Sequence, residues 1–95
     1  MSAGKYVFSK GLKELRFLHC QTGETSNAVR SFLLRAYPTM KHHNPHTPIM
    51  IREASGIEPK VYARYEFGRE KMADLKGLND QAIEEKVSAL VKDGQ

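Results

Sequence analysis

The chain has a single cysteine at the type of junction where reactive thiols occur in proteins. Cys20 ends the extended apolar segment LKELRFLHC and precedes a helical pattern that starts near Ser26. A helix N-terminus stabilises a thiolate, and an exposed thiolate with a resolving thiol can exchange disulfides. Because the chain contains 1 Cys, it supplies no resolving thiol itself. Three roles stay open for Cys20: a redox nucleophile, a site of thiol modification, or a half-buried structural residue.

Three histidines in the segment KHHNPHTP invite comparison with a metal site. Pro45 lies between His42 and His46, which excludes one helical face for this pair, and no second cysteine or nearby carboxylate completes a tetrahedral set. We therefore expect solvated loop histidines. The acids Glu84-Glu85 are expected on the exposed side of the last helix, and neither a nucleophile elbow nor a glycine-rich phosphate loop is present. The sequence predicts no catalytic residue, no metal and no cofactor.

Two arginines lie inside segments that are otherwise typical of half-buried strands. Arg52 and Arg64 can pair with Glu53 or Glu66 on neighbouring strands, which would give them a structural role. Alternatively, they form with Tyr62 a polar and aromatic face that docks on a partner, because Arg and Tyr are enriched at interface hot spots. Both interpretations stay open at the level of the sequence.

Composition and charge restrict the class of protein. A chain of 95 residues with 40% hydrophobic and 27% charged residues suits one globular domain, and no run approaches the roughly 20 apolar residues of a membrane span. The net charge of +4 favours an anionic partner, but no basic block supports nucleic-acid binding. A lone cysteine is typical of a reducing compartment. The opening MSAGKYVFSKGLK is basic without acids and could act as a short uncleaved targeting segment.

The first half of the chain predicts a strand followed by a helix. Residues 12–20 alternate with apolar side chains on both faces, which indicates an interior strand. Thr25 or Ser26 can cap the following helix, and we expect Pro38 to kink it or make it restart. The buried stripe of this helix comprises Val29, Phe32, Leu33, Ala36, Tyr37 and Met40.

The second half predicts three strands and a final helix. PIMIREA and KVYARYEF have strand character, and in the second of these one face comprises Val61, Ala63, Tyr65 and Phe67. Gly68-Arg69 suggests a hairpin tip before a weaker strand, EKMADLKGL. Asn79 is a good cap for the last helix, whose buried stripe comprises Ile83, Val87, Leu90 and Val91. The order is strand-helix-strand-strand-strand-helix, which predicts a mixed sheet with one parallel crossover and antiparallel neighbours.

This order, with a proline just before the third strand, resembles a thioredoxin fold reduced to a small core. The segments GLKELRFLHCQ, NPHTPIMIREA and PKVYARYEFGRE, in this order and spacing, resemble the small thioredoxin-fold accessory subunits of mitochondrial respiratory complex I. Related mitochondrial ribosomal proteins of the same fold are the alternative, and a thiol-redox protein using Cys20 is a second one. The resemblance implies an α/β fold with residues 12–95 as a single thioredoxin-like domain after an N-terminal extension, residues 1–11.

The resemblance also implies a role, a place and two site features. It implies a non-catalytic subunit on the matrix side of the mitochondrial inner membrane, peripheral and without a span. Its partners would be other complex I subunits, above all the large iron-sulfur subunit of the NADH-oxidising module, and not nucleic acid. Thioredoxin folds commonly have a cis proline before this strand, which makes Pro59 a candidate. Many members have a second cysteine where this chain has Ala54, so an internal disulfide switch is not expected here.

Overall fold

The computed structural model describes residues 8–20 and 26–92, and these form a four-stranded sheet with two helices. The elements are β1 (Leu12–His19), α1 (Asn27–His43), β2 (Ile49–Glu53), β3 (Lys60–Tyr65), β4 (Glu70–Asp74) and α2 (Asp80–Lys92). A short 3-10 turn, Glu66–Gly68, connects β3 to β4. The predicted order of elements is confirmed, and the architecture is that of a small thioredoxin-like fold.

β1 lies inside the sheet, as its two apolar faces predict. The strand order is β2-β1-β3-β4, in which β1 is parallel to β2 and antiparallel to β3, and β3 is antiparallel to β4. A parallel neighbour requires a crossover, which α1 provides. The predicted mixed sheet is therefore confirmed.

Both helices pack on the same face of the sheet. The inner face contributes Leu15, Phe17, Val61, Ala63 and Tyr65 to a single core, which also contains the predicted stripe residues Val29, Phe32, Leu33, Ala36, Met40, Ile83, Val87, Leu90 and Val91. The Tyr65 hydroxyl donates to the Leu90 carbonyl at 2.7 Å, which satisfies a carbonyl in the last turn of α2. The other face of the sheet has no helix over it in the described part of the chain.

The ends of the helices show one confirmed cap and one different use of a serine. The Asn79 side-chain carbonyl accepts from the Ala82 amide at 2.8 Å, as expected for an N-cap. Ser26 precedes α1 without making a side-chain cap bond. Its hydroxyl instead accepts from the Cys20 amide at 3.0 Å. Ser26 therefore ties the end of β1 to the start of α1, and Thr25, the other predicted cap, lies outside the described residues.

The helix does not restart at Pro38 and Pro59 is not cis, so both of these backbone predictions are wrong, whereas the predicted kink at Pro38 stays a prediction. α1 runs as one helix from Asn27 to His43 through Pro38, and because Pro38 is exposed, water can serve the carbonyl that loses its N–H partner. The Glu58-Pro59 bond is trans, as are all peptide bonds of the described residues. The Pro59 carbonyl accepts from the Leu75 amide at 3.0 Å. This bond continues the pairing of β3 with β4 by one residue, just before β3 and just after β4.

Chain segments before β1 contact the domain. Phe8 packs against the core, and the Ser9 amide donates to the Val91 carbonyl at 2.8 Å. Residues 1–7 and 93–95 lie outside the described residues. The boundary between an extension, residues 1–11, and a domain, residues 12–95, therefore stays a prediction. The targeting function expected of the basic opening also stays a prediction. No helix among the described residues is long and apolar enough to span a bilayer.

Candidate partner-binding face

The three predicted interface residues lie on the uncovered face of the sheet. Tyr62 and Arg64 alternate with the buried Val61, Ala63 and Tyr65 on β3 and therefore point away from the helices. Arg52 of β2 is in register with Leu18 of β1, next to Arg16, whose neighbour on β3 is Tyr62. We call this surface the open face and define it by the outward residues Glu14, Arg16, Leu18, Met50, Arg52, Lys60, Tyr62, Arg64, Glu70, Met72 and Asp74.

Ionic and aromatic contacts already order part of the open face. The Arg64 guanidinium lies 3.2 Å from a Glu14 carboxylate oxygen, and this glutamate is neither of the two partners that the sequence suggested. The Arg16 guanidinium donates to Glu70 at 3.1 Å and stacks on the Tyr62 ring at 5.4 Å from its centroid. Arg16 Nε has no hydrogen-bond acceptor among the described residues, but it lies 3.7 Å from a Glu14 carboxylate oxygen. Tyr62 is thus held in place beneath a cation, which reduces the entropy it would lose on binding.

Arg64 and Arg52 differ in what holds them. The Arg64 side chain is 52% exposed, and an ion pair in that setting contributes about 0–1 kcal/mol. Arg52 is exposed, and its side chain forms no ion pair with any other residue in the described ranges. Folding therefore gains little from either guanidinium, which leaves both for contact with a partner.

Cys20 is buried in the described part of the chain. It is 6% exposed, and its sulfur accepts from the Gly56 amide at 3.4 Å. Its carbonyl accepts from Arg30 at 2.7 Å and from His19 Nδ1 at 3.1 Å. Because a carbonyl can only accept, Nδ1 of His19 is the donor in the second contact. Residues 21–25, including the Gln21-Thr22-Gly23 stretch after Cys20, lie outside the described residues.

The surroundings of Cys20 also show where position 54 lies, at which a second cysteine was expected in related proteins and this chain has alanine. The Ala54 amide donates to the His19 carbonyl at 3.1 Å, which places position 54 beside the end of β1. A cysteine there would lie near Cys20, whereas alanine supplies no thiol. The arrangement can hold the strand end, but it offers no disulfide chemistry within this chain.

A thiol-labelling measurement tests the buried state of Cys20. We expect the native protein to react with a small disulfide reagent at least about a hundredfold more slowly than the urea-unfolded protein, because reaction requires local opening. Cys20→Ser provides the background, since no other thiol is present. Equal native and unfolded rates would contradict this and restore the redox alternative.

The histidine and acid predictions have different outcomes. His42, His43 and His46 are exposed, as expected, but His42 and His43 lie in the last turn of α1 and not in a loop. Among residues 8–20 and 26–92, no group of three or more His, Cys, Asp or Glu residues is placed to hold a metal ion. Glu84 was expected on the exposed side of α2, but it is 8% exposed and accepts from Arg35 at 2.8 Å. A helical pattern cannot reveal this partner, since Arg35 lies on the other helix.

One exposed aromatic residue was missed entirely. Phe67 was predicted to share the buried face of β3, but it is 97% exposed. β3 ends at Tyr65, and Phe67 lies in the turn with φ 64° and ψ 23°. This left-handed conformation costs a non-glycine residue roughly 1–2 kcal/mol. The glycine that follows, Gly68 with φ 75°, is the signal in the sequence that the strand has already ended.

Comparisons with known proteins agree with the resemblance. Residues 29–80 match the model of the mitochondrial ribosomal protein L51 / S25 / CI-B8 domain. The chain is 68% identical to the NADH-ubiquinone oxidoreductase 10.5 kDa subunit of Neurospora crassa over 90 residues, which is 95% of this chain and 96% of the relative. It is 43% identical to NADH dehydrogenase (ubiquinone) 1 alpha subcomplex subunit 2 of Arabidopsis thaliana, over 90% of this chain and 89% of the relative.

The mouse protein of the same name is 44% identical over 86% of this chain and 84% of the relative. All three relatives are named as subunits of NADH-ubiquinone oxidoreductase or NADH dehydrogenase (ubiquinone), whereas the domain name also covers ribosomal proteins. The chain therefore belongs to the L51 / S25 / CI-B8 family and is similar over nearly its whole length to the complex I subunits of that family.

Proposed function

We propose that this chain is a non-catalytic accessory subunit of mitochondrial complex I. The observation that carries the proposal is the 68% identity to the Neurospora subunit over 95% of the chain. Two features of the structure support it. The only cysteine is buried, with its sulfur accepting from the Gly56 amide and its own amide donating to the Ser26 hydroxyl. The open face presents Arg52, Tyr62 and Arg64 away from the helices. A protein with this surface is suited to binding.

In this proposal the subunit stabilises the matrix-side peripheral arm near the NADH-oxidising module, at the periphery of the inner membrane. Its main partner would be the large iron-sulfur subunit. The open face would be the docking surface, with Arg52, Tyr62 and Arg64 as contacts. Guanidinium groups that add little to the stability of the fold suit an acidic patch on such a partner, and charge complementarity favours its orientation.

Affinity purification of the tagged chain from mitochondria tests the function. We expect mass spectrometry to identify complex I subunits, with the large iron-sulfur subunit among the most enriched. Enrichment of ribosomal proteins would instead support the ribosomal alternative of the same family. In that case, the chain should bind RNA with a strongly salt-dependent affinity. Enrichment of neither class would contradict the proposal.

Two single substitutions, each of which removes one positive charge, test the docking surface. We expect Arg64→Ala to lower recovery of the tagged chain with the complex about tenfold, the effect of losing a moderate hot spot. The melting temperature of the isolated protein should stay within a few degrees, because the pair with Glu14 is half exposed. Lys86→Ala removes the same charge from the exposed side of α2 and serves as the control. An unstable Arg64→Ala monomer would show instead that Arg64 serves the fold.

A further inference from the structure

The turn between β3 and β4 presents an aromatic side chain that folding does not explain. Phe67 is 97% exposed, so its ring contributes almost nothing to the core. Its φ of 64° lies in the region that glycine and asparagine adopt readily and that a bulky residue avoids. Residues held in such conformations cluster at functional sites, where the surrounding structure enforces them. Stability alone would therefore favour a different residue at position 67.

Backbone hydrogen bonds enforce this conformation. The Tyr65 amide donates to the Arg69 carbonyl at 2.7 Å, and the Arg69 amide donates to the Glu66 carbonyl at 3.4 Å. The Glu66 amide donates to the Gly11 carbonyl at 3.0 Å, which anchors the turn to the segment before β1. The backbone of the turn is thus fixed on both sides of Phe67, so ordering this backbone on binding costs little conformational entropy.

The charge around this turn specifies the kind of partner. A shallow concavity at the turn is lined by Lys13, Arg64, Tyr65, Glu66, Phe67 and Gly68. Arg69 and Lys71 follow directly, and both cations lie over the Tyr65 ring at 5.8 and 5.9 Å from its centroid. Glu66 and Glu70 are the carboxylates of this segment, and Glu70 is bound by Arg16. Glu14 likewise pairs with Arg64. The other charges around Phe67 are Lys13, Arg69 and Lys71 against Glu66, so the surroundings are positive on balance and a complementary surface is acidic.

From these observations we propose that Phe67 is the anchor of the partner interface and inserts into an apolar pocket with an acidic rim on a protein partner. Aromatic side chains in desolvated pockets dominate many interfaces, and rims of opposite charge direct their docking. Arg64 lines the same concavity as Phe67 and also belongs to the open face. The docking surface therefore continues from the open face to the turn between β3 and β4. The inference rests on the proposed function, because it assumes assembly into a larger complex.

A competition experiment in mitochondria tests the anchor. A tagged variant and the untagged wild type are expressed together, and their ratio in purified complex I is measured by mass spectrometry. Tagged wild type should enter in its expressed ratio. We expect Phe67→Asn to enter about tenfold less, as a lost hot spot predicts. Leu34→Asn, at an 84% exposed apolar position on α1, is the matched control and should compete as wild type does.

Thermal unfolding of the isolated variants separates binding from folding. Asparagine tolerates the left-handed conformation, so Phe67→Asn should raise the melting temperature by about 3–5 °C while it impairs assembly. Phe67→Leu retains an apolar side chain and should assemble better than Phe67→Asn. A melting temperature of Phe67→Asn below that of wild type would overturn the inference, because Phe67 would then serve the fold.

The remaining outcomes distinguish the anchor from the proposed function. If tagged wild type does not enter complex I, the proposed function fails and the anchor fails with it. If wild type and Phe67→Asn enter equally, the anchor is overturned while the proposed function stands. Equal losses for Phe67→Asn and Leu34→Asn would also overturn the anchor. Lys13→Glu should lower incorporation, and a gain would contradict the acidic rim.

Discussion

Replacement of Phe32 by Ala is expected to lower the free energy of unfolding by about 3–5 kcal/mol. Phe32 is fully buried on α1, and its ring centroid lies 6.3 Å from that of Phe17 on β1, with the rings tilted by 45°. The substitution removes this contact and leaves a cavity between the helix layer and the central strand. Since domains of this size are stable by only about 5–15 kcal/mol, the variant should be marginal.

Urea denaturation followed by circular dichroism measures this effect, and the melting temperature should fall by about 12 °C or more. Leu34→Ala is the matched control, because it removes an apolar side chain from the same helix at a position that is 84% exposed. We expect the control to change the free energy of unfolding by less than about 0.5 kcal/mol. Similar losses in the two variants would contradict the placement of the core beneath α1.

Replacement of Arg35 by Met is expected to destabilise the fold by about 2 kcal/mol, and a second substitution should restore most of this. Arg35 on α1 binds both Asp80 and Glu84 of α2. Removing it leaves the 8% exposed Glu84 without its cation. Breaking a fully buried pair costs about 3–5 kcal/mol, but the Arg35 side chain is 40% exposed and water screens part of the loss.

The double variant Arg35→Met/Glu84→Leu should recover at least about 1 kcal/mol, because an apolar pair can replace an ionic one in such a site. A double-mutant cycle by urea denaturation measures this coupling. Lys76→Met, which removes a cation from the exposed pair with Glu58 at 3.0 Å, should leave the unfolding midpoint unchanged. Additive effects of the two Arg35 and Glu84 substitutions would contradict a direct interaction.

The pH dependence of this contact follows from the direction of the shift. Hydrogen bonds with Asp80 and, to a smaller extent, with Glu84 raise the pKa of the Arg35 guanidinium. A group with a higher pKa in the folded state stabilises the fold fully below its unfolded pKa, which for arginine lies in strong alkali. The contribution of the guanidinium should therefore be constant across the neutral range.

Because Arg35 also lies 5.6 Å from the Phe32 ring centroid, the Phe32 and Arg35 substitutions should not be additive.

The sequence predicts those features of the fold that arise from regular periodicity. Alternation with apolar side chains on both faces identified β1 as an interior strand, and the stripe from Val29 to Met40 identified the buried side of α1. Asn79 was recognised as a cap because capping depends on residues within one turn. Each of these features is decided by neighbours in sequence, so the pattern contains the information.

The wrong predictions concern residues whose state depends on distant parts of the chain. Glu84 is buried because Arg35, 49 residues away, provides a hydrogen bond. Phe67 continues the apolar alternation of β3, but the turn begins one residue earlier because the Glu66 amide bonds to Gly11. The sequence also left open whether Arg52 and Tyr62 share a face, which depends on β1 lying between their strands with a fixed register on both sides. Alternation alone does not contain that register.

The central position of β1 determines when this protein can fold. When the chain is synthesised from its N-terminus, β1 is the first strand to emerge. Both of its edges pair with strands that emerge later. Glu14 and its contact Arg64 are 50 residues apart. Long-range pairing of this kind slows folding, and one edge of β1 stays unpaired until β3 arrives even after β2 has joined the other edge. The nascent or newly delivered chain should therefore depend on a holding chaperone until more than two thirds of it is available.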